Sequence, residues 1–546
     1  MLNHQPRLLA AALIVTVPAA LAVAGAATAS ASSQMGSPRP ALVLQVSHPA
    51  PAHVAPRPVQ GVPLRVPNPR VYAAQKAAAN AAAARRASSA SSPNSAALSL
   101  VRNWAGQKDT NAAPSDSTGA IGTTRYIELV NDRTGIYNRT SNTPTASGSL
   151  FDLTGCVTSG CISDNAFDPQ IIWDPGTNRF FYVTDNVVSS TQNFIDFGFS
   201  TGATPTLAFA DWCHYNLSFG ATFPDYPKLG DTKDFMLIGS NNFSGSSFAA
   251  SVITWVSKPP SGSACPAAST FKVGETGALK NANGTPAFTP VPANQTDTSS
   301  TGWAVARPES IPSGGATFLT VFKVTKSASG TAVIPTTGTS VPVTAYKVPA
   351  AAPQPGTSFK LDTSDTRPTQ AVSAIDPAHG SVTALWTQHT VFGGAGAQVR
   401  WYEINPATHS LIQNGTISST SLYTFNGAIA PDRRVNGASS MFGGDMMINV
   451  NQSSASAQVS IKVASKIGAG AISGLTLVAT STAADTGFDC IQLGHCRWGD
   501  YAGATPDPAS PTTATTGQVW GSSMLSAPGG GSSSSGWTTR NFAVKP

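Results

Sequence analysis

Residues 171–183 read IIWDPGTNRFFYV. Three large apolar residues run into Asp174-Pro175, a short polar turn follows, and Phe180, Phe181, Tyr182 and Val183 lead back out. Pro holds φ near −65° at the turn, and the preceding Asp can bond the turn backbone. The stretch is therefore a β-hairpin. A second copy is AIDPAHGSVTALW at 374–386, a weaker one EINPATHSLI at 403–412, and one with a longer loop ATPDPASPTTATTGQVW at 504–520. Their spacing is irregular, so they are not a strict repeat. Asp168, Asp174, Asp376 and Asp507 precede Pro and Asp432 follows one, and all five are expected to be turn residues.

Outward from this hairpin the chain keeps one character. Short apolar or alternating runs alternate with Gly, Pro, Asn, Asp and Ser clusters. Strands are expected over 125–130, 170–173, 179–184, 206–210, 235–239 and 248–256. Others are expected over 317–324, 382–387, 399–404, 446–450, 459–463, 475–478, 518–522 and 538–544. No amphipathic pattern longer than two helical turns follows residue 100. Only Glu128, Glu275, Glu309 and Glu403 among 27 acids are Glu, which disfavours helical bundles. Roughly 445 residues of strands exceed one sandwich and suit either a ring of small sheets or two sandwiches in series. Hairpins of like design along one chain favour the ring, an all-β propeller of six or seven blades.

The net charge of +6 is misleading. Residues 1–102 hold nine Lys and Arg and no acid, whereas residues 103–546 hold 24 bases and 27 acids. A mildly acidic folded part argues against a nucleic-acid reader. Arg7, an apolar run over 8–27 and small residues at 27–31 read as a signal peptide over 1–31. Residues 32–100 read as a low-complexity Pro/Ala/Ser linker outside the fold, with nine prolines and no aromatic between Pro38 and Pro69. Within it, 73–86 suits a short helix or disorder. The folded domain is expected over 101–546, exported, without a transmembrane segment, monomeric, and secreted or held at a cell wall by its basic tail.

Six cysteines fall in three sequence-local pairs, Cys156 with Cys161, Cys213 with Cys265, and Cys490 with Cys496. Fifteen connectivities are open, and proximity alone favours this one. The spacings are poor for zinc and suit disulfides in an oxidising compartment. No metal loop is present. Calcium remains conceivable among the 23 Asp residues, although no Asp-x-Asp-x-Asp-Gly loop occurs.

Three stretches, AFDPQIIWDPGTNRFFYV (166–183), FPDYPKLGDTKDFMLIGSNNF (223–243) and CRWGDYAGATPDP (496–508), carry a family resemblance. In this order they resemble secreted bacterial β-propeller proteins of the sialidase-like and BNR-repeat kind. The resemblance spans about residues 120–545 and implies the ring fold, with no assigned reaction. The Asp-boxes of sialidases are absent, and Arg307-Pro308-Glu309 only faintly matches their first Arg motif.

Candidate ligand-binding residues lie in two motifs, Asp225-Tyr226-Pro227-Lys228 and Arg497-Trp498-Gly499-Asp500-Tyr501. Trp498 or Tyr501 could stack on a sugar ring while Arg497 and Asp500 bond hydroxyls. Alternatively, Trp498 fills core between blades, and Asp225 pairs with Lys228 at a blade-entry turn. Weak catalytic candidates are Glu309, Tyr501 and Arg307, with Glu403 a further acid that could activate a Tyr. No Gly-x-Ser-x-Gly elbow, P-loop or dinucleotide fingerprint is present. The expectation is an exported propeller that binds an extracellular glycan or surface protein. The alternatives are a sialidase-like glycoside hydrolase or lyase, and a cell-surface scaffold.

Overall fold

The computed structural model describes residues 42, 44–51, 60–86, 98–297, 299–433, 442–509 and 517–546. The expected signal peptide lies outside the described residues. Seven sheets are present among the described residues, all antiparallel except where Asn294–Gln295 adds parallel to Pro368–Asp376. Their innermost strands are Thr118–Ile121, Ala166–Asp174, Thr222–Asp231, Ala287–Pro292, Pro368–Asp376, Tyr423–Pro431 and Gly503–Pro506, here blades one to seven. Each inner strand neighbours the next, and Gly503–Pro506 returns to Thr118–Ile121. The ring is thus closed, a radial arrangement that leaves only short, protected sheet edges. It is a seven-bladed β-propeller.

Closure uses both ends of the folded chain. Leu100–Ala105 adds to Trp537–Val544 as the outer strand of blade seven, so that blade mixes chain start and chain end. Hydrophobic cores lie between neighbouring blades rather than within one layer. Phe181, Phe197, Phe199 and Tyr215 of blade two meet Leu229, Met236 and Ile238 of blade three. Trp104, Tyr126, Tyr137 and Trp520 fill the seam between blades seven and one.

The Asp-Pro hairpins sit where like design implies. Asp174 accepts from the Gly176 and Thr177 amides, and Asp376 from the Ala378 amide, each closing the inner strand of its blade onto the second strand. The expected strand at 206–210 is replaced by a local turn. The Thr206 amide and hydroxyl both donate to Asp211, and the blade's fourth strand starts only at Trp212. The disulfides are Cys156–Cys161, Cys213–Cys265 and Cys490–Cys496, the pairing that proximity favoured.

Part of the stretch expected to be a linker outside the fold is built into it. Leu44–Val46 adds an outer strand to blade two, against Tyr215, Asn216 and Leu217. A helix spans Pro69–Ala84, with Pro at its start and the Asn68 side chain accepting from the Val71 amide at 3.1 Å. Its many Ala residues have high helix propensity, and tertiary contacts supply what an isolated helix of this length lacks. Among the described residues after 100, helices are single turns such as Leu150–Thr154, whose Ser149 and Asp152 form a capping box.

Candidate functional site

Six of the seven blades share a backbone device near the start of the inner strand. Asp116, Asp168, Tyr226, Thr289, Thr366 and Asn426 all have left-handed backbone, with φ between 46° and 77°. In four blades the strand pairing slips across this residue, for example between Phe167 and Gln170 and between Asp225 and Lys228, and in blade five it slips two residues later. A bulge of this kind re-aims a side chain. A non-glycine residue held there costs on the order of 1–3 kcal/mol, and such strain gathers at functional sites.

The bulges of blades two and three and the Trp-Gly-Asp-Tyr loop before blade seven bring one cluster together. The Tyr226 and Tyr501 rings lie 4.8 Å apart. Lys228 Nζ sits over both, 3.7 Å from one ring centre and 3.2 Å from the other. The Tyr226 hydroxyl donates to the Asp500 carbonyl at 2.6 Å. The Tyr501 hydroxyl reaches Asp168 Oδ2 at 3.4 Å and the Pro227 carbonyl at 3.3 Å. Asp116 accepts from the Asp500 amide and from Asn131, whose own oxygen accepts the Asp168 amide. Arg497 pairs with Asp500. From blades four and five, Arg307 and Arg367 both bind Asp365, and the Arg367 guanidinium lies 4.8 Å over the Tyr226 ring.

Several of these groups are buried without a partner. Lys228 Nζ, Asp225 Oδ2 and both carboxylate oxygens of Asp185 have no hydrogen bond among the described residues. Burial pushes the Lys228 amine well below its ordinary range, so it favours the neutral form. Burial pushes Asp225 up to about 6 against the pull of Arg367, Arg65 and Arg497. Asp500 is pushed up to about 7, because burial and the carboxylates of Asp116 and Asp362 outweigh Arg497 and Arg367. Asp168 and Asp185 are raised by burial and by neighbouring carboxylates. Asp365 behaves oppositely, because Arg367 and Arg307 overcome its burial and hold it low.

Several expectations change. Lys228 does not pair with Asp225, since the bulge at Tyr226-Pro227 places its amine between the two tyrosine rings. Trp498 is core: it packs with Phe425, and its indole donates to Asn451 at 3.1 Å, so it offers no face to a sugar. Asp168 is no turn residue and belongs to the axial cluster. Arg307 is bound to Asp365 and to the carbonyls of Pro308 and Glu309. The acid on Tyr501 is Asp168, not Glu309 or Glu403. Glu403 lies at the Asp376 hairpin with His379.

Sequence reasoning missed Asp116, Asp185, Asp365 and Arg367. The one signal that could have found part of the set is recurrence of a residue before Pro at inner-strand starts: Asp168-Pro169, Tyr226-Pro227, Thr289-Pro290 and Arg367-Pro368. Regarding calcium, the three metal-compatible groupings among the described residues fall short of an oxygen shell. Two use disulfide cysteines, and the third offers two carboxylates and an imidazole. No described helix is long and apolar enough to cross a membrane.

No protein-family model and no curated protein matches the chain. Solved structures similar to it include the Dos1 propeller, at 11% identity over 82% of this chain and 95% of that one, with a TM-score of 0.37. The Penicillium chrysogenum α-L-arabinanase complexed with arabinobiose is similar at 11% identity over 68% and 92%, with a TM-score of 0.36. The parainfluenza virus 5 hemagglutinin-neuraminidase ectodomain is similar at 10% over 72% and 86%, with a TM-score of 0.33. At these values the likeness carries nothing about chemistry, and the propeller assignment rests on the ring of seven sheets itself.

Proposed function

We propose that this is an exported propeller that binds an extracellular glycan or protein ligand at the axial cluster of Asp225, Tyr226, Lys228, Asp500 and Tyr501. The observation that carries this reading is the set of buried, unpartnered groups there: the Lys228 amine, Asp225 Oδ2 and the Asp185 carboxylate. A buried polar atom left without a partner costs about 1–3 kcal/mol, more when charged. Folds rarely keep several together unless something else fills the valences. The three disulfides support an oxidising location.

The test incubates the purified full chain with pooled glycans and surface-protein extracts, then identifies retained species by mass spectrometry. Retention by the wild type and loss in Asp225→Asn and Lys228→Met are expected. Equal retention by all three would remove the axial cluster from the function. One observation favours a hydrolase as the second reading. The Tyr501 hydroxyl rests on Asp168, an acid that burial keeps protonated more readily than usual. A tyrosine nucleophile beside an acid is a known glycosidase arrangement. New, smaller glycans in the same incubation, absent with Tyr501→Phe, would select that reading.

A further inference from the structure

The axial cluster is covered by the protein's own chain. Residues 60–86 cross the propeller face between two anchors, the blade-two edge strand Leu44–Val46 and the blade-seven outer strand Leu100–Ala105. Two backbone carbonyls of this segment meet the arginines of the site. Arg497 Nη1 donates to the Val62 carbonyl at 2.6 Å, and Arg367 Nη2 donates to the Arg65 carbonyl at 2.6 Å. The Arg65 guanidinium lies 4.4 Å over the Phe223 ring, next to the Asp225 bulge. The helix then fastens the far side. Lys76 bonds Asp362 at 3.3 Å and Thr363 at 2.9 Å, Gln75 donates to the Ile311 carbonyl at 2.7 Å, and Asn80 accepts the Ala351 amide at 2.9 Å.

These contacts have the character of a cover rather than of core. Ring closure does not use the segment. The helix gives the hydrophobic interior only Ala79 and Ala83, packed on Ala350, and two Ala side chains bury little apolar area. Its other anchors are polar groups that water can satisfy once it lifts. A cleft of about 170 Å³ already separates Val66, Tyr72 and Gln75 from Arg307, Glu309 and Asp365. Local units held by few apolar contacts open at a fraction of the global unfolding free energy.

We propose that residues 60–86 are a cis-acting strap that closes the axial site, and that its extended stretch 60–69, QGVPLRVPNP, stands in for the ligand. The ligand class is then an extended, Pro-containing peptide whose carbonyl oxygens take Arg497 and Arg367. This rests on the axial-binding reading and names both its partner and its regulation. Competition is intrinsic: a tethered segment is present at high effective concentration, so the wild type retains a free ligand only weakly and retains it more tightly when the helix anchors weaken.

Lys228 serves as the reporter, because its buried amine rests on the Tyr226 ring, over which the strap-bound Arg367 also lies. The full chain and its Lys76→Ala/Asn80→Ala variant are reductively methylated, and modification is read by peptide mass spectrometry. Both substitutions keep helix propensity high, so only anchoring is lost. Lys228 modification should rise about tenfold or more in the variant, as expected for losing a charged and a neutral hydrogen bond. Lys258, buried at the opposite ends of the inner strands with Asp174 and Asp231, should stay unmodified in both. Equal Lys228 protection in wild type and variant would overturn the strap. In the wild type, helix amides over 70–84 should exchange with deuterium faster than inner-strand amides over 228–231. A common rate would also overturn it, even if the variant unfolded. Finally, a synthetic peptide of residues 60–69 should protect Lys228 in the variant. Protection by a glycan pool and not by the peptide would overturn the peptide assignment and leave axial binding standing.

Discussion

The seam between blades seven and one and the axial cluster both bury carboxylates near tyrosines, yet they treat them differently. In the seam, Glu128 accepts from the Gln107 amide at 3.1 Å, the Tyr137 hydroxyl at 3.1 Å and the Asn541 amide at 2.7 Å, with Thr539 and Ser522 on its other oxygen. Those donors come from both sides of the closure point, so the carboxylate fastens chain start to chain end. At the axis, the Asp185 carboxylate and the Lys228 amine have no hydrogen-bond partner among the described residues, and the amine rests on two tyrosine rings instead. A satisfied buried acid is part of what holds a fold. A cluster of unsatisfied ones calls for an explanation, and the ligand reading supplies one for the axis.

Four measurements test this contrast. The largest effect is expected from Glu128→Ala, which strands several donors at once and should lower unfolding free energy in urea by about 3 kcal/mol or more. A loss below about 1 kcal/mol would mean that the seam network is incidental. Next is the pH dependence of stability. The folded values of Asp225 and Asp500 are raised to about 6 and about 7, above the unfolded range for Asp. Their contribution is fully present below about pH 4 and is lost as pH rises through 6 to 7. Melting temperature should therefore fall from pH 5 to pH 8, and the fall should flatten in Asp225→Asn/Asp500→Asn. Third, Lys228→Met should leave stability unchanged or raise it by about 1–2 kcal/mol while ligand retention disappears, because an apolar group of similar volume needs no partner there. Marked destabilisation would make Lys228 structural. The smallest effect belongs to Tyr501→Phe. Its hydroxyl contacts are long, so stability should change by less than about 1 kcal/mol, and turnover is the quantity to follow.

Legibility differed along the chain for physical reasons. The outer and middle strands, such as Arg179–Ser189 and Val382–Val391, are continuous runs of β-branched and aromatic residues and read directly. Inner strands such as the four-residue Gly503–Pro506 and Tyr423–Pro431, which bends at a bulge, are short or interrupted by Gly, and they read as loops. The motifs 225–228 and 497–501 are legible as candidate ligand contacts, and the structure brings them together. The motifs alone do not distinguish Trp498, which is core, from Tyr501, which is axial, since alternation in a loop carries no fixed face. The basic N-terminal stretch was read as outside the fold because its composition lacks large apolar residues. Residues 60–86 instead attach through Arg65, Tyr72, Lys76 and Asn80, and polar anchoring leaves no hydrophobic period to detect.

Hairpin chemistry, turn punctuation and apolar runs are local, so an all-β chain that favours a ring, its hairpins and the proximity-favoured disulfide pairing are legible along the sequence. The blade number, the burial of Lys228 against Tyr501 and the seating of residues 60–86 on Arg367 and Arg497 depend on groups more than a hundred residues apart. Only closure of the ring brings those groups together, and whether a buried charge is satisfied or left open is decided there, by which distant donor comes within hydrogen-bond reach.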